Sequence, residues 1–272
     1  TGMMGPFKRG SAGEPSMAIL LAPSYHVVKI YRHHVALIGA VRLTAKHEIR
    51  REPALHFRKI DMGIRTAQQY LDGLRDDRCI YIDGERVTDV TTDRRFAGAA
   101  QTMAELLQMQ HSAEHGETLT FASPSSGEKI GMTHIQPHSA EDIKARGDAM
   151  KVWMDATCGM LGRSPDYKNV MVAAWAAAGD VFDRDSFKGG DNVRNFHEHV
   201  RENDLMMTHV LVNPQVDRSR PAHLQDSEIV AQIVKETDAG MVVRGARMVA
   251  TLCALADEIV VMPAGTTWHS PD

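Results

Sequence analysis

From residue 62 onward the apolar and polar positions fall into two periods, first helical and then alternating. Thr66 stands where an N-cap belongs, opening a short helix that runs to Asp76. Ile80–Ile82, the pair Asp83-Gly84 and residues 86–90 read as a strand, a tight turn and a second strand. Across residues 96–110, Phe96, Ala99, Ala100, Met103, Leu106 and Leu107 recur at helical spacing. Residues 124–127 are a loop. Ser139, followed three positions later by Asp142, resembles a capping box and opens a helix through Met160. Its inward residues are expected to be Ile143, Met150, Trp153, Met154 and Thr157. Pro165 sits at a first-turn position and starts a helix through Ala178, whose alanines imply a closely packed neighbour. A third helix is expected over residues 191–204.

The period then shortens to two. Residues 207–212, 230–236, 241–243 and Glu258–Val261 are strand-like, with Asp238, Gly240 and Gly245 marking turns. Helices first and strands second predict an α+β chain, with a helical domain over 62–204 and a β domain over 205–272, rather than alternating βαβ units. Residues 1–61 follow neither period. An early run of glycines and prolines (Gly2, Gly5, Pro6, Gly10, Gly13, Pro15, Pro23) and scattered basic residues mark them as an unmatched extension, non-native or disordered, with Met62 as the true start.

Charge sharpens that break. Residues 1–61 carry ten Lys and Arg against four Asp and Glu, within an overall −4, which leaves −10 for residues 62–272. An acidic surface is ill suited to nucleic acid, where lysines and arginines must displace counterions from phosphates. The longest apolar runs, residues 17–22 and 35–41, are too short to span a bilayer, which takes about 18 residues or more. Three widely spaced cysteines, Cys79, Cys158 and Cys253, read as free thiols of a reducing, cytoplasmic compartment. Cys158 is expected to be buried as a small apolar residue. No phosphate-binding glycine loop, paired-cysteine zinc pattern or G-x-S-x-G elbow occurs, which turns attention away from nucleotide, zinc and serine hydrolysis.

Three ordered stretches carry a resemblance. They are Gly162 through Tyr167; Arg201, Glu202, Asn203 and Asp204 with Thr208, His209, Asn213, Pro214, Gln215, Asp217 and Arg218; and Asp238, Gly240, Val243, Gly245, Arg247, Thr251, Ala256 and Asp257. Together they resemble the oxygenase component of 4-hydroxyphenylacetate 3-hydroxylase and its relatives, the two-component flavin monooxygenases. The similarity runs from about Met62 to about Met262. It implies a fold similar to the acyl-CoA dehydrogenases: a helical domain, a β domain and a C-terminal helical bundle, assembled as tetramers. It also implies a reaction in which reduced FAD from a separate flavin reductase activates O2, and one oxygen enters a 4-substituted phenol beside its hydroxyl to give a catechol.

In the resemblance Arg163, Tyr167 and His209 line the substrate pocket as catalytic residues. Gln215, Val216, Asp217 and Arg218 form a loop that meets the flavin, and Thr251 is a further flavin contact. The residue chemistry suits these roles. Imidazole titrates near neutrality and can hold a phenol hydroxyl, a guanidinium stays charged beside an anion, and a tyrosine hydroxyl can donate. Spacing alone leaves plainer readings open: Arg163 on helix-end carbonyls, Tyr167 and His209 as structural residues, Asp217 and Arg218 as a surface ion pair. Relatives that dehydrate 4-hydroxybutyryl-CoA use an iron–sulfur cluster and need two cysteines four residues apart near this helix end. Here Gly162 stands four residues after Cys158, which disfavours that alternative. Beyond Met262 the resemblance fades, and the chain reaches Asp272 where the β domain is expected to continue. The expectation is a chain without the helical bundle, inactive alone, with a truncated remnant of the enzyme as the alternative.

Overall fold

The computed structural model describes residues 63–262 apart from 77, 162–163, 185–186, 215, 218, 221–228, 230 and 238–239, together with the backbone of Met17–Leu21 and His26–Ile30; at 184, 187–188, 232–237 and 240–242 it describes the backbone alone. Strands β1 (Met17–Leu21) and β2 (His26–Ile30) come first. Helix α1 (Ala67–Gly73) starts at Thr66, whose hydroxyl accepts from the Gln69 amide while the Gln69 side chain accepts from the Thr66 amide. This reciprocal box satisfies two otherwise orphaned donors. The helix stops at Gly73, three residues short of the sequence expectation.

Strands β3 (Ile80–Ile82) and β4 (Glu85–Val87) form a hairpin whose turn residues both have positive φ, 52° at Asp83 and 84° at Gly84. That is why an Asp-Gly pair fits there. Helix α2 (Ala97–Gln108) buries Ala100, Met103, Ala104, Leu106 and Leu107. A short helix α3 (Gly116–Leu119) leads into a hairpin, β5 (Thr120–Ala122) and β6 (Lys129–Gly131), around the loop expected at 124–127. Helix α4 (Ala140–Ala156) opens on the Ser139–Asp142 capping box. A 3-10 turn at Pro165–Tyr167 precedes α5 (Asn169–Ala177). A small hairpin, β7 (Asp183–Arg184) with β8 (Phe187–Lys188), leads to α6 (Gly189–Glu202). The last strands are β9 (Met207–Val210), β10 (Gln232–Thr237), β11 (Gly240–Met248) and β12 (Glu258–Val261).

The strands form a six-stranded sheet in the order β10-β11-β1-β2-β3-β4, and β9 pairs in parallel with β12. The backbone of β1 and β2 thus lies between the two hairpins, although the sequence reading set residues 1–61 apart as an extension. One apolar cluster joins helices and strands, with Tyr70, Ile80, Met103, Leu107 and Trp153 meeting Met206, Val210, Cys253, Leu255 and Val261.

Two expectations on α4 are corrected. Trp153 is buried, but Ile143, Met150 and Met154 are 57%, 36% and 38% exposed. The line facing the core is Ala149 and Trp153, flanked by Ala145 and Val152. Ile143, Met150 and Met154 lie on a second stripe, more than 90° around the helix from the middle of that line, and one face cannot bury both. Cys158 is exposed rather than buried, because the helix ends at Ala156 and the chain turns through a left-handed residue there, φ 52°.

Buried charges bolt the strands to the helices. Arg65 donates to both oxygens of Asp257 at 3.2 and 2.6 Å and to the Asp204 carbonyl at 2.9 Å, while the Asp204 carboxylate accepts from the Arg65 and Gln110 nitrogens at 3.0 and 2.8 Å. Asp257 also accepts from the Met206 amide at 2.8 Å, at the entry to β9. Burial works against the Arg65 charge, but Asp257 and Asp204 outweigh it and its pKa is raised.

Candidate active site

The strand that carries His209 is fixed at its start by Asp257 and along its length by β12, with Val260 beside His209. The turn that carries Tyr167 is shaped by Pro165 at its first position, where a missing N–H costs nothing and φ is already set. Asp166 beside it is buried and takes a hydrogen bond from the Ser164 hydroxyl, and burial raises its pKa. These two placements bring Tyr167 and His209, 42 positions apart in sequence, into contact.

The Tyr167 Oη lies 2.6 Å from His209 Nδ1, with ring centroids 5.7 Å apart and planes at 50°. It also lies 3.3 Å from the Thr208 Oγ1, and the Thr208 hydroxyl donates to the Thr251 carbonyl at 2.5 Å. The Lys168 ammonium sits 4.4 Å from the centroid of the Tyr167 ring, a cation against its π face. A cavity of about 230 Å³ is lined by Tyr167, His209, Leu211, Val212, Val249 and Thr251. Apolar walls with a few convergent polar groups are the common form of a small-molecule site.

The far wall is a strained loop. Val249 and Leu252 both have positive φ, 61° and 63°, flanking Thr251. A β-branched residue in that region is held there at a cost of about 1–3 kcal/mol, and such strain gathers at binding sites. Just before the loop, the Met248 amide donates to the Val212 carbonyl at 2.8 Å and closes the cavity edge. Arg247 is buried and donates to the Asn213 side-chain oxygen, yet its Nε has no hydrogen-bond partner among the described residues. Burial lowers its pKa.

Of the residues singled out in the sequence, the structure therefore brings Tyr167, His209 and Thr251 to one cavity. Val216 and Asp217 lie on an exposed segment beyond Asn213. There the Asp217 carboxylate accepts from the Ser219 amide and hydroxyl at 2.9 and 2.6 Å, and these two bonds, the hydroxyl's first, hold its pKa low. Arg163, Gln215 and Arg218 lie outside the described residues. Three neighbours went unassigned in the sequence reading: Lys168, Val249 and the bond from Thr208 to Thr251. Each depends on tertiary contact, and no local pattern announces it.

Similarity to known proteins converges on this region. Residues 66–272 match the family model for the 4-hydroxyphenylacetate 3-hydroxylase N terminal. The chain is 43% identical over 202 residues to the 4-hydroxyphenylacetate 3-monooxygenase oxygenase component of Thermus thermophilus, covering 74% of this chain and 40% of that protein. It is 36% identical over 200 residues to the oxygenase component of 4-nitrophenol 2-monooxygenase from a Rhodococcus species, covering 72% of this chain and 37% of that protein. Among solved structures, the HpaB oxygenase component complexed with FAD and 4-hydroxyphenylacetate superposes with a TM-score of 0.66 at 43% identity, over 73% of this chain and 41% of that one. The chain thus spans about 40% of the length of these relatives. Its α+β architecture is the acyl-CoA dehydrogenase-like fold of HpaB. With three quarters of its residues matched to one family model, this chain belongs to the 4-hydroxyphenylacetate 3-hydroxylase N-terminal family.

Proposed function

We propose that this chain is the front portion of a flavin-dependent phenol hydroxylase, which places one atom of O2 on a 4-substituted phenol beside its hydroxyl. The observation that carries the reading is the Tyr167–His209 contact of 2.6 Å at the wall of a cavity that also holds Thr251. In this reading His209 and Tyr167 hold the phenol hydroxyl, and His209 takes its proton as the ring becomes electron-rich. Arg163 serves the same pocket as a fixed positive charge, and the apolar walls from Leu211, Val212 and Val249 exclude water from it.

The residues present fit a flavin. Thr251 and the segment from Gln215 to Arg218 would hold it, and Arg247, a buried cation whose Nε has no partner among the described residues, suits an anionic group nearby. When bound as reduced FAD, the group supplies the electrons that activate O2. A separate reductase delivers it, and four chains assemble. The exposed stripe of Ile143, Met150 and Met154 on α4 is a surface of the kind such an assembly covers. The setting is cytoplasmic, in keeping with Cys79, Cys158 and Cys253 as free thiols. No helix among the described residues is long and apolar enough to cross a membrane.

The test uses the protein expressed from its complete reading frame, supplied with reduced FAD, O2 and para-substituted phenols, with catechol measured by chromatography. Catechol from 4-hydroxyphenylacetate or 4-nitrophenol, reduced about 100-fold or more by His209→Ala, supports the proposal. A well-folded protein that binds flavin and makes no catechol from any para-substituted phenol overturns it.

A further inference from the structure

We propose that Thr208 is a positioning residue that fixes the spacing between two polar walls of the cavity, His209 on β9 and Thr251 on the loop that follows β11. The loop does not hold its shape by local preference. Val249 takes φ 61° and Leu252 φ 63°, the left-handed region that favours glycine. At Leu252 the cost is offset by packing, since its side chain lies against the apolar core and opens the buried turn at Cys253–Leu255. Val249 has no such compensation, because its β-branched side chain is 53% exposed. Its backbone is kept in that state by what surrounds it. Backbone bonds brace the loop at both ends: the Met248 amide donates to the Val212 carbonyl at 2.8 Å, and the Cys253 amide to the Ala250 carbonyl at 3.1 Å. Between them the Thr208 hydroxyl donates to the Thr251 carbonyl at 2.5 Å, the bond here that a single side chain controls.

Thr208 is itself fixed. It is fully buried, its backbone pairs with Ile259 of β12, and two residues earlier the Met206 amide is held by the Asp257 carboxylate at 2.8 Å. The next residue on the strand is His209. One buried side chain thus ties the strand that carries His209 to the loop that carries Thr251, across one hydrogen bond. Without that bond the loop is free to relax Val249 toward ordinary φ, and Thr251 shifts while His209 stays on its paired strand.

The consequence for chemistry rests on the hydroxylase reading, in which His209 holds the phenol and Thr251 the flavin. A fixed spacing then keeps the two in register, and a misplacement of about 1 Å can cost about 100-fold in rate. The clamp itself is tested without substrate or flavin, by hydrogen exchange of the protein from its complete reading frame. In Thr208→Val the Met248 and Cys253 amides should exchange about tenfold faster than in the wild type while those of α2 keep their rates, and Thr208→Ser should restore them. Val249→Gly should have a higher urea midpoint than Val249→Ala, the reverse of their order in ordinary backbone. In turnover, Thr208→Val should lower kcat about tenfold or more with the phenol KM within about twofold, and Thr208→Ser should recover it. Unchanged exchange at Met248 and Cys253, a Val249→Ala protein at least as stable as Val249→Gly, or an unchanged kcat beside an active wild type overturns the proposal. If Thr208→Val alone does not fold, adding Val249→Gly should rescue it, because the strain that the clamp resists is gone; failure to rescue overturns the proposal as well. The expected exchange pattern in a protein that makes no catechol refutes the hydroxylase reading and leaves the clamp standing.

Discussion

Two buried arginines divide the molecule into a frame and a cavity. Arg65, in the frame, meets both oxygens of Asp257, the Asp204 carbonyl and, through its own amide, the Asp204 carboxylate. Arg247, beside the cavity, has the Asn213 side chain and an Nε with no partner among the described residues. Their pKa values move in opposite directions, raised for Arg65 by its carboxylates and lowered for Arg247 by burial. The backbone does not follow that division, since Val249 and Leu252 near Arg247 take positive φ and so does Asp204, at 46°, beside Arg65. Where a buried guanidinium is met by carboxylates, the residues serve stability. Where a buried guanidinium has no carboxylate among the described residues, it is held ready for something else.

If that division is right, damage to the frame should appear as lost stability and damage at the cavity as lost binding. The largest effect is expected from Asp257→Ala, which strands the Arg65 charge and the Met206 amide. Chemical denaturation should show a loss of about 3–5 kcal/mol. A loss under about 1 kcal/mol would mean the frame does not depend on this pair.

Next comes acid. His134 and His197 are buried together with ring centroids 6.1 Å apart, and burial, before the nearby positive charges, lowers both pKa values, that of His197 to about 4. An unfolded histidine titrates near 6.5, so the unfolded chain binds more protons below that pH. The contribution of His197 is therefore complete above about pH 6.5 and lost as pH falls through about 4, amounting to roughly 3 kcal/mol. Urea midpoints measured from pH 7 to pH 4 should fall steeply in the wild type and less in His197→Phe.

Thr66→Ala should cost about 1 kcal/mol in the same assay, because it removes one half of the α1 capping box. The smallest stability change is expected at the cavity. Arg247→Met should alter unliganded stability by less than about 1 kcal/mol, since removing a buried, poorly compensated charge is often neutral. It should nevertheless weaken FAD binding in fluorescence titration. A frame-sized loss of stability with unchanged flavin affinity would erase the distinction between the two arginines.

The parts of the fold that were legible in sequence are the local ones. Thr66 as an N-cap, Ser139 with Asp142, and Asp83-Gly84 act within four residues, so their patterns survive without tertiary context. Strand extents were harder. β11 runs through Gly240–Met248, past Gly245, which reads as a turn residue but takes φ 120° inside the strand. α4 carries two apolar stripes, and periodicity alone does not say which one meets the core. At the site, spacing left Tyr167 and His209 with plain structural readings, and only the resemblance placed them together. Their contact needs β9 docked on the turn at Pro165–Tyr167. Thr208 and Lys168 act through bonds made only after that docking.

The bolt at Arg65 also has a schedule. Its main partner, Asp257, lies 192 positions later in the chain. At about 5–20 residues per second, a ribosome takes about 10–40 seconds to go from one to the other. Through that interval the guanidinium of Arg65 lacks Asp257, and the strand at Met207–Val210, once made, still lacks its parallel neighbour at Glu258–Val261. Closing so long a loop comes late in folding, after the local helices have formed. The nascent helical segment thus waits, with Tyr70 and Met206 unsealed, for a carboxylate not yet synthesised, and a slow codon cluster placed between residues 204 and 257 would lengthen its exposure to chaperones and proteases.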